Sequence, residues 1–170
     1  MRPQAIIIMG VSGSGKSTLG AAIADTLGCA FLEGDSFHDA ASVAKMRAGE
    51  ALTDADRGPW LDRIAAAATT AIARDGVTAV ACSALRRAYR DRLGAEIDGS
   101  VGFVLLDTDR AELARRVERR TDHYMPGSLL DSQLATLERP GIDEPAATLD
   151  ARLPLAELRR LALAWLGPAG

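Results

Sequence analysis

The sequence predicts an α/β fold in which short buried strands alternate with helices along an open parallel sheet, and two observations lead there. First, the hydrophobic period switches repeatedly between short apolar runs and longer stretches with apolar residues at helical spacing. Second, the first switch carries a glycine-rich loop. Ala5-Ile6-Ile7-Ile8-Met9 reads as a buried strand, Gly10-Val11-Ser12-Gly13-Ser14-Gly15-Lys16-Ser17-Thr18 follows, and Leu19, Ile23 and Leu27 then share a helix face. Strand, loop and helix in this order fit G-x-x-x-x-G-K-[ST], the phosphate-binding P-loop or Walker A motif.

The residue types in that loop suit a polyphosphate. Gly10, Gly13 and Gly15 open backbone conformations closed to other residues, so successive N–H groups can converge on one concavity. The helix N-terminus adds unpaired N–H groups and a partial positive charge. Lys16 is expected to reach the β- and γ-phosphates of a bound triphosphate, and the Ser17 hydroxyl to bind magnesium.

Composition narrows the class. The 170 residues are 48% hydrophobic and fit one globular domain, 1–170, rather than a disordered chain. The net charge of −3 argues against a general nucleic-acid binder. Cys29 and Cys82 lie in apolar surroundings and read as small buried hydrophobes, with no C-x-x-C pair. No apolar run approaches membrane-spanning length and no leader pattern is visible, so a cytoplasmic protein without a membrane partner is expected.

The remaining elements follow in order. Ala30-Phe31-Leu32-Glu33 is a second strand, and its carboxyl end, where open parallel sheets bind ligands, leads into Gly34-Asp35-Ser36-Phe37-His38. Asp35 and His38 are therefore site candidates, set against a helix cap for Asp35 and an exposed loop position for His38. A short helix is expected over 39–48, and a longer one opening at Pro59 and running to about Arg74, with Thr53 or Asp54 capping a turn before it. Val77 to Cys82 is the third strand. No Asp follows it at the Walker B position, which leaves Asp35, and less directly Asp107, to direct a metal. Arg86, Arg87 and Arg90 open a basic helix near the phosphate site, read either as anion binders or as a solvated face.

Val101 to Leu106 is the fourth strand, and Asp109 caps a helix over 110–119. Arg116, Arg119 and Arg120 converge near its end. A break at His123, Pro126 and Gly127 precedes a helix from Ser128 with Leu129, Leu130, Gln133, Leu134 and Leu137 on one face. This helix–turn–helix over about 116–137 reads as a lid that excludes water from the γ-phosphate, against an ordinary surface hairpin. Ala146 to Asp150 is a fifth strand, and Pro154 opens a last helix that buries Leu155, Leu158, Leu161, Leu163, Trp165 and Leu166.

Beyond the P-loop, several stretches carry a specific resemblance: Leu32-Glu-Gly-Asp-Ser-Phe-His38, Lys45-Met-Arg-Ala-Gly49, Leu52-Thr-Asp-Ala-Asp-Arg-Gly-Pro-Trp-Leu61, Cys82-Ser-Ala-Leu-Arg-Arg-Ala-Tyr-Arg90 and His123-Tyr-Met-Pro-Gly-Ser-Leu-Leu-Asp-Ser-Gln133. The chain resembles the gluconokinases of the small P-loop type, related to shikimate kinase and the nucleoside monophosphate kinases. It departs at Ala51, where the family often has proline, and matches loosely beyond about Gly141. The resemblance implies a P-loop three-layer sandwich with a five-stranded parallel sheet in order 2-3-1-4-5 and helices on both faces. It also implies phosphorylation of D-gluconate at the 6-hydroxyl by magnesium-ATP, and a homodimer.

On that reading, Lys16, Arg116 and Arg120 neutralise charge on the transferring phosphoryl. Asp35 deprotonates the acceptor hydroxyl or holds a magnesium-bound water. Arg57, Arg86 and His38, with Ser83 and His123, hold the acceptor's carboxylate and hydroxyls. Two competitors stand beside this: a kinase for another small acceptor, such as a shikimate-like acid or a nucleoside monophosphate, and a nucleotide-dependent switch. The switch lacks support, since no Asp-x-x-Gly follows a strand and no Asn-Lys-x-Asp motif is present.

Overall fold

A computed structural model describes residues 2–119 and 128–168. Five strands form one parallel sheet in the order β2-β3-β1-β4-β5: β1 Ala5–Met9, β2 Ala30–Glu33, β3 Thr78–Ala81, β4 Val101–Asp107 and β5 Ala146–Asp150. The expected strand order is thus observed. The central strand explains why the sheet sits where it does. All five β1 residues have zero exposure, and their side chains alternate between two apolar layers.

Ala5, Ile7 and Met9 face a layer containing Trp60, Leu61, Ile64 and Ala68 of α3 (Asp54–Asp75) and Tyr89 and Leu93 of α4 (Arg87–Glu96). Ile6 and Ile8 face the opposite layer, with Leu19 and Ile23 of α1 (Lys16–Leu27) and Leu158, Ala162 and Leu166 of α7 (Leu155–Leu166). Helices α2 (Ala40–Arg47), α5 (Arg110–Glu118) and α6 (Ser128–Thr136) stand around the carboxyl end of the sheet.

Two local expectations are corrected. Helix α3 does not open at Pro59. It begins at Asp54, because Thr53 and Asp56 form a reciprocal capping box, with Asp56 N donating to Thr53 Oγ1 at 3.1 Å and Thr53 N to Asp56 Oδ2 at 2.9 Å. Pro59 therefore lies inside the helix, with no N–H to offer the carbonyl one turn back. In α7 the buried stripe is Leu158, Ala162 and Leu166. Leu155, at the first helical position, lies outside it and is exposed. No helix among the described residues is long and apolar enough to cross a membrane.

Candidate active site

The loop after β1 is shaped by its glycines. Gly10, Gly13 and Gly15 have φ of 142°, 85° and 100°, in the region that favours glycine. A Cβ on Gly10 would stand 2.9 Å from the Leu106 carbonyl oxygen and from Ser14 Oγ, and one on Gly13 would stand 3.1 Å from Val117 Cγ2. Gly15 caps α1 without a side-chain hydrogen bond, which leaves the first-turn N–H groups of the helix to the loop cavity. Val11 is buried against Leu85, Leu113 and Leu130, anchoring the loop from behind. Lys16 Nζ donates to the Val11 carbonyl at 2.9 Å, so the amine is folded over its own loop. The hydroxyls of Ser12 and Ser14 are buried with no hydrogen-bond partner among the described residues. Thr18 is exposed on the first turn of α1.

Sequence reading did not single out Glu33, a second carboxylate that meets the phosphate loop. The Ser17 hydroxyl donates a short hydrogen bond to Glu33 Oε2 at the end of β2. Asp35 follows two residues later in a single 3-10 turn, Gly34–Phe37. Between them, Gly34 has no room for a side chain, since a Cβ would collide with the Ala81 carbonyl oxygen. Its own carbonyl accepts Trp60 Nε1 at 2.7 Å. The signal was present: Glu33 stands, like Asp35, where a parallel sheet places ligands. Asp107, the other metal candidate, is instead held by Arg139 in a fork of 3.0 and 3.1 Å.

Asp35 is not a helix cap; Asp39 caps α2 by accepting from Ser42 N at 2.7 Å. His38 is not an exposed loop residue. Its side chain is 4% exposed, its ring stacks on Trp60 with centroids 4.2 Å apart, and Nε2 lies 3.9 Å from Asp35 Oδ1. His38 Nδ1 is buried without a partner among the described residues. Burial lowers the His38 pKa, and the Asp35 carboxylate opposes this less strongly, so the ring is neutral near pH 7.

The predicted arginines separate. Arg57 borders the cleft, and its Nη1 donates to the Tyr89 hydroxyl at 2.9 Å. Tyr89 donates in turn to Asp54, whose other oxygen lies 3.7 Å from Arg86 Nη1. Arg86 thus joins the Arg57 network from outside the cleft wall. Arg90 is neither an anion binder nor part of a solvated face, whereas Arg87 lies on the exposed face of α4 and is engaged by an acidic side chain. Arg87 forks onto Asp143 at 3.0 and 2.6 Å. Arg90 is buried, paired with Glu144 at 2.6 Å and donating to the Ala84 carbonyl at 2.9 Å. Arg116 bonds Glu112 at 2.9 Å, the Ala151 carbonyl at 2.8 Å and, more distantly, the Ser14 carbonyl at 3.4 Å, tying α5 to the phosphate loop. Arg120 and His123 lie outside the described residues.

Ser12, Gly13, Gly15, Lys16 and Ser17 form the floor of one cleft. Its walls carry Asp35, His38, Arg57, Trp60 and Ser83. Helix α6 roofs it: Leu129 packs on Met46 and Leu52, and Gln133 Oε1 accepts from Ser12 N at 2.7 Å. Gln133 was read from sequence only as part of an apolar-leaning face; the structure sets it on the phosphate loop.

The residues fit magnesium-ATP. The glycine concavity and the orphaned loop hydroxyls suit phosphate oxygens. Ser17 and Asp35 offer oxygen donors to the cleft, with Glu33 bonded to Ser17 from behind, which suits a hard cation held by few protein oxygens plus phosphates. Cys82 stands close behind, but burial pushes its pKa up to about 12, leaving an inert thiol.

Comparison with known proteins agrees with this geometry. Residues 6–140 match the AAA domain family model. The chain is 47% identical over 145 residues to a gluconokinase of Gluconobacter oxydans, covering 85% of this chain and 81% of that one. It is 40% identical to the thermosensitive gluconokinase of Escherichia coli, covering 85% and 76%. Among solved structures, a gluconokinase from Sinorhizobium meliloti superposes with a TM-score of 0.84 at 46% identity, covering 96% and 91%. The APS kinase of Mycobacterium tuberculosis, at a TM-score of 0.68 and 18% identity over 98% and 99%, shares the fold. A P-loop facing a carboxylate pair and an arginine-bearing cleft, on a backbone shared from end to end with such enzymes, places the chain in the gluconokinase family.

Proposed function

We propose that the protein transfers the γ-phosphoryl group of ATP to the 6-hydroxyl of D-gluconate, giving 6-phospho-D-gluconate and ADP. The observation that carries this is the single cleft in which the phosphate loop, Asp35 and Arg57 face one another. One end suits a polyphosphate, the other a small polyhydroxylated anion.

Phosphoryl transfer asks the protein mainly for in-line positioning and charge neutralisation. Lys16, a short rotation away from the Val11 carbonyl, is assigned to the β- and γ-phosphates. Asp35 accepts the proton of the acceptor hydroxyl as its oxygen bonds to the γ-phosphorus and the bond to the ADP oxygen breaks. Arg116 and Arg120 stabilise charge from the α5 side of the loop, the first arm of a lid spanning about 116–137 within one domain. Arg57, with Arg86 behind it, balances the acceptor carboxylate. Neutral His38, Ser83 and His123 hydrogen-bond its hydroxyls. Ser17, its hydroxyl oriented by Glu33, would hold a magnesium ion, which would supply positive charge to the transferring phosphoryl. The family resemblance also supports a cytoplasmic homodimer.

The test is a coupled ADP-release assay with magnesium-ATP against D-gluconate, shikimate, a panel of nucleoside monophosphates and no acceptor. Release with D-gluconate alone is expected. Release with another acceptor would overturn the substrate, and steady release indifferent to every acceptor would overturn the kinase reading.

A further inference from the structure

The polar chain beside the cleft has a direction built into it. Tyr89 lies on α4 with 6% exposure, its ring within the core layer under α3. A phenol has one proton to give. Tyr89 gives it to the Asp54 carboxylate at the first helical position of α3. The hydroxyl's lone pairs are then committed to accepting, and they accept from Arg57 Nη1 at 2.9 Å. The Arg57 guanidinium carbon also lies 5.4 Å from the Tyr89 ring centroid, within cation–π range. On the far side, Asp54 stands 3.7 Å from Arg86. One carboxylate thus sits between two guanidinium groups, with the phenol relaying its negative charge to Arg57 alone.

An unsupported arginine at a cleft wall samples many rotamers, and fixing it costs conformational entropy when substrate binds. Here Arg57 is held before substrate arrives. We propose that Tyr89 is a positioning residue that sets Arg57 in the acceptor half of the cleft, and that the Asp54–Tyr89 pair thereby contributes to selecting an anionic acceptor. This rests on the reading of Arg57 as the partner of the acceptor carboxylate. Tyr89 is not among the residues lining the cleft, so its influence is expected to reach acceptor binding through Arg57.

The test is steady-state kinetics with D-gluconate and magnesium-ATP on wild type, Tyr89→Phe, Arg57→Ala and the double variant, with thermal melts in parallel. Phenylalanine keeps the ring, its packing and the cation–π contact, and removes only the hydroxyl. Tyr89→Phe is expected to raise the KM for gluconate about tenfold, the order of one hydrogen bond to a charged group. The KM for ATP should stay within about twofold. In the Arg57→Ala background the same change should add less than about twofold to the loss in kcat/KM, since two residues acting through one contact are not additive. Asp54→Asn, which leaves Tyr89 packed, should shift the KM for gluconate in the same direction. An unchanged KM for gluconate in Tyr89→Phe, an equal rise in both KM values, or multiplicative losses in the double variant would overturn the proposal. Absence of gluconate turnover in wild type would instead overturn the function itself, so the two failures are distinguishable.

Discussion

Replacing Glu33 with Gln separates the two carboxylates at the end of β2. Glu33 accepts the Ser17 hydroxyl proton, which turns the oxygen lone pairs of Ser17 away from Glu33 and toward the phosphate loop. A glutamine is nearly isosteric and its amide oxygen still accepts a hydrogen bond, but it carries no charge and holds the hydroxyl less strongly. Groups that orient a metal ligand without binding the metal are worth about 10–100-fold in metal affinity, or about 1.4–2.7 kcal/mol at 1.36 kcal/mol per decade. Initial rates measured against free magnesium at saturating ATP and gluconate should therefore show the half-saturating magnesium concentration rising by about 10–100-fold. The kcat reached at saturating magnesium should change little. Asp35→Asn provides the contrast: its kcat should fall by about 10²–10⁴-fold at every magnesium concentration, as loss of a general base requires. If Glu33→Gln left the magnesium midpoint unchanged and lost as much kcat as Asp35→Asn, the division of labour argued here would be wrong, and Glu33 would be the base.

Three further changes probe what supports the site. Gly34→Ala drives a methyl group into the Ala81 carbonyl. It should cost about 1–3 kcal/mol in stability, the usual penalty of overpacking, and lower kcat as well because Glu33 and Asp35 flank it; a melt and a rate both unchanged would refute the close approach. Glu144→Gln leaves the buried Arg90 guanidinium undercompensated, which should cost about 3–5 kcal/mol or about 6–20 °C in Tm at this chain length, read by differential scanning calorimetry. For His38, burial holds the pKa below its ordinary 6.5, so the unfolded chain binds more protons between those two values. Stability should therefore fall as pH drops through 6.5 toward the folded value, and His38→Gln should flatten that part of a denaturation-midpoint profile against pH; an unaltered profile would show that the ring is not neutral when folded.

The phosphate end of the cleft was legible because its determinants are contiguous. Gly10 to Ser17 carries the loop conformation and the cation in one run, and the flanking periods supply strand and helix. What was not legible depended on partners far away in sequence. Glu33 gained its role from Ser17, 16 residues earlier. Arg90 looked like an anion binder from its basic neighbourhood, until Glu144, 54 residues later, took it into the core. The start of α3 is a different case. Thr53 and Asp56 announce it locally, while Pro59 carries a competing signal because proline favours the first turn. Two backbone N–H groups satisfied by a capping box outweighed the single helical bond that Pro59 forfeits.

The same contrast bears on how such an enzyme can change its substrate. The nucleotide half of the cleft is one loop in which Gly10 and Gly13 have close neighbours and Gly15 a positive φ, so substitution there meets crowding or backbone strain. The acceptor half is assembled from separate elements joined by side chains: Trp60 of α3 on the Gly34 carbonyl, His38 stacked on Trp60, Tyr89 of α4 on Arg57, and Leu129 of α6 on Met46 and Leu52. None of these joints includes a residue of the phosphate loop. On the proposed reading, nucleotide use is a property of a motif, while acceptor choice is a property of contacts between separate elements. That is the physical reason why a shared fold at 18% identity says nothing about the acceptor.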